Sequence, residues 1–174
     1  AALFLFLNLP DANAFNAKVE RIFVENDDLT AGAEIKLLEI LGGYPEAGAR
    51  ISGEIVINGI PLPLSGHAAD ARARRAARIG HVPEDRQIQG LIMDFTAWEN
   101  VAFGYHHAPE YQRNAALMDN DAIRADCAGK MQRFDVRPPL PELPAKSFSG
   151  GNQQKIVVAR EIERNPDLLL VGQP

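Results

Sequence analysis

Cysteine is nearly absent from this chain: Cys127 is the one thiol in 174 residues. A single cysteine excludes an internal disulfide and fits a reducing compartment. Long apolar runs are missing too. No stretch approaches the roughly 18 residues of a membrane span, so work at a membrane would need a partner to do the spanning. Leu3 to Leu7 is apolar but short, with no basic residue before it. A buried strand is expected there rather than a signal peptide. Basic excess is also lacking, and a net charge of −5 disfavours nucleic acid as a partner. No second His, Cys or carboxylate stands at ligand spacing from His81, and His106-His107 reads as loop, so no metal ligands are assigned. What is present, 46% apolar and 24% charged residues, suits one globular domain with a real core.

The most informative stretch is Ser149-Gly150-Gly151-Asn152-Gln153-Gln154-Lys155, which opens an apolar run from Ile156 to Ala159. It reads as a tight turn feeding a helix, with Ser149 as N-cap. Such a start offers bare backbone N–H groups and the positive end of the helix dipole, which together suit phosphate. The full S-G-G-N-Q-Q-K string, extended by A-R-E-I-E-R-N-P-D-L-L-L-V from Ala159 to Val171, closely resembles the signature motif of ATP-binding-cassette (ABC) ATPases of sugar and nucleoside importers. Two further strings agree in order and spacing with the second cassette of those importers. Val82-Pro83-Glu84-Asp85-Arg86 stands where the family has its Q-loop, and Gly90-Leu91 precedes Asp94-Phe95-Thr96-Ala97-Trp98-Glu99-Asn100.

The resemblance implies an α/β fold: a P-loop NTPase (RecA-like) core with an antiparallel β subdomain and a helical ABC subdomain. It places the core in residues 1–95 and 148–174 and the helical subdomain in 96–147. It implies ATP and Mg2+ as cofactors and a second ABC cassette as partner, fused or separate. Integral membrane permease subunits would touch the chain near Glu84 to Trp98, at the cytoplasmic face of the inner membrane. Ser149, Gly150, Gly151, Asn152 and Gln153 would face the γ-phosphate of ATP bound mainly by the partner, and Glu84 takes the Q-loop position. A non-transport ABC ATPase and a regulatory module that no longer uses ATP stay open as alternatives.

Two departures stand out. Ala31-Gly32-Ala33-Glu34-Ile35 resembles the lead-in to the phosphate-loop strand, yet Lys36-Leu37-Leu38-Glu39-Ile40-Leu41-Gly42-Gly43 follows directly and resembles the helix beyond that loop. On the order of a dozen residues are missing, including the glycines that cradle phosphates and the Lys and hydroxyl that follow. Lys36 lacks any glycine pattern before it and reads as an ordinary helix-start lysine. Gly129-Lys130 has Arg124 and Met131 at the positions that need a glycine and a hydroxyl. A segment present in the protein but outside the numbered chain, a true deletion and a degenerate cassette are the three explanations. The first is favoured here, because the flanks resume the family pattern so cleanly. The second departure is Gly172-Gln173-Pro174, where the family has Asp-Glu-Pro. Gln173, at the position of the catalytic Glu, is a poor base, so this chain's own site would hydrolyse slowly or not at all.

The remaining expectations are local. Val19 to Val24 is a second apolar stretch, and Gly53 to Ile60 a hairpin turning at Asn58-Gly59. Asp70 to Arg78 is a helix whose Arg72, Arg74, Arg75 and Arg78 read as a solvated face rather than a nucleic-acid stripe. Ile79 to Val82 is a short strand ended by Pro83, and Leu168 to Val171 a central parallel strand. Residues 99–147 look helical with breaks, with Ile123, Cys127, Met131 and Phe134 as a core stripe. Pro138-Pro139 and Pro141 to Pro144 read as a stiff, extended link.

Overall fold

A computed structural model describes residues 4–7, 19–25, 40–44, 52–57, 60–63 and 70–172. In chain order its elements are β1 (Phe4–Leu7), β2 (Val19–Glu25), β3 (Ser52–Ile57), β4 (Ile60–Leu62), α1 (Ala71–Ala76), β5 (Ile79–Val82), α2 (Ala97–Ala102), β6 (Gln112–Asn114), β7 (Leu117–Met118), α3 (Asn120–Arg133), α4 (Gly150–Ile162) and β8 (Leu168–Val171). A π-helical turn, Arg86–Gly90, and 3-10 turns at Pro109–Tyr111 and Ala145–Ser147 complete them. The chain divides into two compact units, Ala1–Glu84 with Arg164–Pro174, and Asp85–Glu163. The signature helix α4 thus belongs by its contacts to the helical unit.

In the first unit, β8 is apolar throughout and buried at every position, as a strand covered on both faces must be. It runs parallel to β5, with Val82 opposite Val171. Its other edge is filled by β1, antiparallel, with Leu7 opposite Leu168. The resemblance implies an antiparallel sheet for the N-terminal strands as a group; Phe4–Leu7 instead joins the central sheet, in the order β1-β8-β5. The reason is ladder satisfaction: a β8 with one open edge would leave a row of N–H and C=O groups without partners. Among the described residues the second sheet is β2-β3-β4, antiparallel throughout. Ile57 pairs with Ile60, as the hairpin reading requires. Asn58 and Gly59 lie outside the described residues, as do Pro10-Asp11-Ala12-Asn13, which the sequence predicts as a turn, the Ala31 to Ile35 stretch and Lys36.

Ile35 and Lys36 are consecutive in the 174-residue chain. This sets aside the favoured explanation, a segment outside the numbering, and leaves deletion or degeneracy. Residues 40–42 are helical and stop at Gly43, whose φ of 83° and close approach to Ala71 and Asp70 no side chain would permit. Helix α1 starts at Asp70, whose carboxylate accepts from Ala73 N at 2.8 Å. The solvated-face reading of its arginines needs correction. Arg74 points inward, 2% exposed, and donates to Pro63 O at 2.5 Å. Burial pulls its pKa below the ordinary value, with the Asp70 charge acting the other way. Arg75 bonds Tyr44 Oη at 2.8 Å, and Arg78 bonds Asp167 at 2.9 Å.

The second unit is helical with one hairpin. Thr96 and Glu99 form a capping box at α2: Thr96 N donates to Glu99 Oε2 at 2.8 Å, and Glu99 N returns to Thr96 Oγ1 at 3.4 Å. Asn100 is wholly buried. It accepts from Ile92 N and donates to the carbonyls of Ile92, Phe95 and Thr96 at 3.0–3.2 Å. The D-F-T-A-W-E-N string is thus a turn running into α2, stitched to the helix by its own last residue. Ile123, Cys127 and Met131 bury one stripe of α3, and Phe134 caps it half-buried. Full burial of Ile123 and of Met131 contributes about 1.5–3 kcal/mol each. Gly129-Lys130 sits within α3, with Lys130 bonded to Asp126 at 2.5 Å, far from phosphate-loop geometry.

Two expectations for this unit fail. The β6–β7 hairpin interrupts the helical reading; Asn114 Oδ1 turns the chain by accepting from Ala116 N and Leu117 N. The proline-rich link is not an extended rod. It folds into turns held against α2, with Ala97 N donating to Leu143 O at 2.9 Å and Trp98 N to Pro141 O at 3.2 Å.

Candidate functional site

The start of α4 gathers most of the residues that the sequence nominated. Phe148 anchors the turn by burial, and Ser149 follows in extended conformation at the N-cap position. Its C=O accepts from Gln153 N at 2.9 Å, but its hydroxyl does not cap the helix. Gly150 and Gly151 occupy the first turn, where helix geometry offers their N–H groups no internal acceptor. A Cβ at Gly151 would meet nothing within 4 Å. Packing within the chain therefore does not require glycine there, although glycine costs a helix about 0.5–1 kcal/mol relative to alanine. The absent side chain leaves the backbone of this turn open to approach from outside the chain.

At Gly150 the space is taken by a cation. A Cβ there would lie 2.5 Å from Arg86 Nη2. Arg86 is the last residue of V-P-E-D-R and opens the π-helical turn. Asp85 caps that turn by accepting from Gln87 N at 2.9 Å and Ile88 N at 3.1 Å. A guanidinium beside the positive end of a helix is unfavourable alone and favourable once an anion joins them.

Gln153, expected to face the phosphate, is turned inward. It is 3% exposed, and its Nε2 donates to Ala145 O at 3.1 Å and Phe148 O at 3.0 Å. Its Oε1 accepts from Arg86 Nε at 3.4 Å and Gln87 Nε2 at 3.3 Å. The side chain is a strut beneath the turn. Asn152, by contrast, stays on the rim: its Nδ2 donates to Ser149 Oγ and its Oδ1 accepts from Arg137 N, both at 2.8 Å. Arg137 and Arg86 are the residues that the sequence reading missed at this place. V-P-E-D-R was visible, but nothing in it told that Arg86 lies over Gly150, and no pattern marks Arg137.

Other candidates fall elsewhere. Glu84 is exposed, in the loop after β5. Gln173 lies outside the described residues; before it, Gly172 ends β8 with its N–H on Val82 O at 2.9 Å. His81 packs on Gly42 and against the Tyr44 ring, centroids 5.6 Å apart. Burial first, then the Asp126 charge, push the Cys127 thiol up to about 12, so it is no nucleophile at neutral pH. Among the described residues no three His, Cys, Asp or Glu side chains come together to hold a metal ion.

A central sheet with a parallel β5–β8 pair, an antiparallel sheet, a helical unit and a phosphate-suited helix start define an ABC-type nucleotide-binding domain on an α/β, P-loop NTPase fold. The family model for ABC transporters matches residues 36–174, and the chain belongs to that family. It is 38% identical over 153 residues to the nucleoside import ATP-binding protein NupA of Lactococcus lactis, covering 84% of this chain and 30% of NupA. It is 37% identical over 145 residues to the xylose import ATP-binding protein XylG of Burkholderia ambifaria, covering 83% and 26%. The chain thus spans only about a quarter to a third of these curated relatives. The ATP-binding cassette MJ0796, solved as a dimer with ADP and Pi, shares the fold at a TM-score of 0.53 and 24% identity, over 75% of this chain and 51% of that one.

Proposed function

We propose that this chain is a nucleotide-binding cassette of an importer for nucleosides or simple sugars, and that its working contribution is the signature motif. The names of its relatives support the solute class, and nucleoside is preferred over sugar. In this reading Ser149 Oγ–H and the N–H groups of Gly150 and Gly151 donate to the terminal phosphate of ATP bound by a second cassette. The α4 dipole and Arg86 add positive charge, and Gln153 keeps the turn rigid. The donor set fits a phosphate. It does not fit the metal and hydrolytic side, since Gly172 and Gln173 bring no carboxylate to the end of β8 and the phosphate loop is absent. ATP supplies the free energy of its hydrolysis; this chain binds and orients. The functional division would be a core of 1–95 with 148–174 and a helical subdomain of 96–147. Permease subunits would sit near Glu84 to Trp98, where Ile88 is 80% exposed and Phe95 is also exposed, at the cytoplasmic face of the inner membrane.

The open first turn at Gly151 carries this reading. Its test is sedimentation of the chain with a phosphate-loop-bearing cassette, with and without ATP. ATP-dependent pairing is expected, with weak nucleotide binding by this chain alone. A second reading, a regulatory module that does not engage ATP, is favoured by the Ile35–Lys36 junction. Absence of pairing at saturating ATP would establish it and overturn the first.

A further inference from the structure

We infer that Asn152 is a positioning residue that makes Ser149 an obligate hydrogen-bond donor toward phosphate. The inference rests on the signature reading above and adds a direction to it. A backbone N–H can only donate, so the Arg137 N–H fixes which end of the Asn152 amide is oxygen: Oδ1 faces it at 2.8 Å. Nδ2 therefore faces Ser149 Oγ, also at 2.8 Å, and an amide nitrogen can only donate. The Ser149 oxygen is thereby an acceptor on its inner side. Its proton cannot point at Asn152, and the hydroxyl does not cap α4. The proton is directed outward, beside the Gly150 and Gly151 N–H groups. A polarised chain of donors strengthens each member.

The far end of the chain is held firmly. Arg137 Nε bonds Asp135 Oδ1 at 2.8 Å, and Lys155 Nζ of α4 bonds Asp135 O at 2.7 Å. Val136 is buried between them and its N–H reaches Met131 O at 2.8 Å. The loop after α3 is thus tied to the helix whose start it orients. Asn152 could instead do no more than tie that loop, and the two roles separate experimentally.

Asn152→Asp keeps the size and the acceptor for Arg137 N, but its second oxygen can only accept, so it draws the Ser149 proton inward. In the intact protein paired with a phosphate-loop-bearing cassette, ATP-driven association should weaken about tenfold or more, as for Ser149→Ala. In the Ser149→Ala background, Asn152→Asp should then add nothing. The carboxylate's charge alone would weaken association equally in both backgrounds, so additive losses overturn the inference. So does a wild-type response of Asn152→Asp while Ser149→Ala is impaired, an outcome that leaves the signature reading standing. An unimpaired Ser149→Ala overturns both. Should the aspartate variant fail to fold, Asn152→Ala frees the hydroxyl to rotate. Its smaller loss must likewise vanish in Ser149→Ala.

Discussion

Gly151 and Asn100 are two small residues whose identities answer to different demands. Gly151 has no neighbour to spare, so Gly151→Ala should leave the fold intact or stabilise it by up to about 1 kcal/mol. On the proposed reading the added methyl would stand in the path of the phosphate, and ATP-driven pairing should fall at least tenfold. Thermal melts and sedimentation on the same sample check both halves. Asn100 answers to the fold alone: Asn100→Ala strands Ile92 N, while the carbonyls of Ile92, Phe95 and Thr96 keep their backbone donors, and should cost about 1–3 kcal/mol in urea unfolding. Ser149, Gly150 and Gly151 were legible in the sequence because chemistry at a helix start depends on local order. The burial of Gln153 had a signal too: it stands three, four and seven residues before Ile156, Val157 and Arg160, all buried on one face of α4. Its polar character hid that. Arg86 and Arg137 were not legible, since contacts between segments distant in sequence leave no spacing to read.

At the scale of elements, α4 does more than present its first turn. Arg160 and Glu161 are both buried and bonded at 2.8 Å. Arg160 also holds Gly90 O and Asn100 O, and Tyr105 Oη donates to Glu161 Oε2 at 2.7 Å. The A-R-E string after the signature is therefore the anchor of α2 and of the π-helical turn on α4. Glu161→Ala leaves a buried guanidinium without its counter-charge and should cost about 3–5 kcal/mol by chemical denaturation. Elements whose residues repeat with a clear period, such as α3 and β8, could be read directly. The β6–β7 hairpin could not, because three residues and two residues carry no period. Its one sign is Asn114, whose side chain turns the backbone. The proline-rich link misled for a related reason: prolines fix their own φ, but 138–144 is folded by the N–H groups of its two leucines, Leu140 and Leu143, and by those of Ala97 and Trp98 in α2.

For the whole molecule, the antiparallel hairpin of β3 and β4 and the parallel β5–β8 pair were foreseeable, whereas the partner on the other edge of β8 was not. Strand choice is settled by which edge stands open, a property no single stretch reports. Charge acts at this scale as well. The Lys146 bond holds the Asp94 carboxyl below its usual range, and the Ala122 N–H does so for Asp119. Arg137 and Arg133 do the same for Asp135 and Glu163. Groups with depressed folded-state pKa stabilise above the unfolded value of about 4 and lose that contribution as pH falls through the folded one. Urea midpoints should therefore be flat toward neutrality and drop below about pH 4. The β1–β8 pairing also sets an order of events in synthesis. Residues 4–7 leave the ribosome long before residues 168–171, so β1 must wait as an unpaired apolar segment until β8 has been made. Closing the central sheet joins the most distant described strands, making it a late and slow step. During that interval β1 is free to pair with the wrong edge, and chaperone demand should fall on nascent chains rather than on the finished protein.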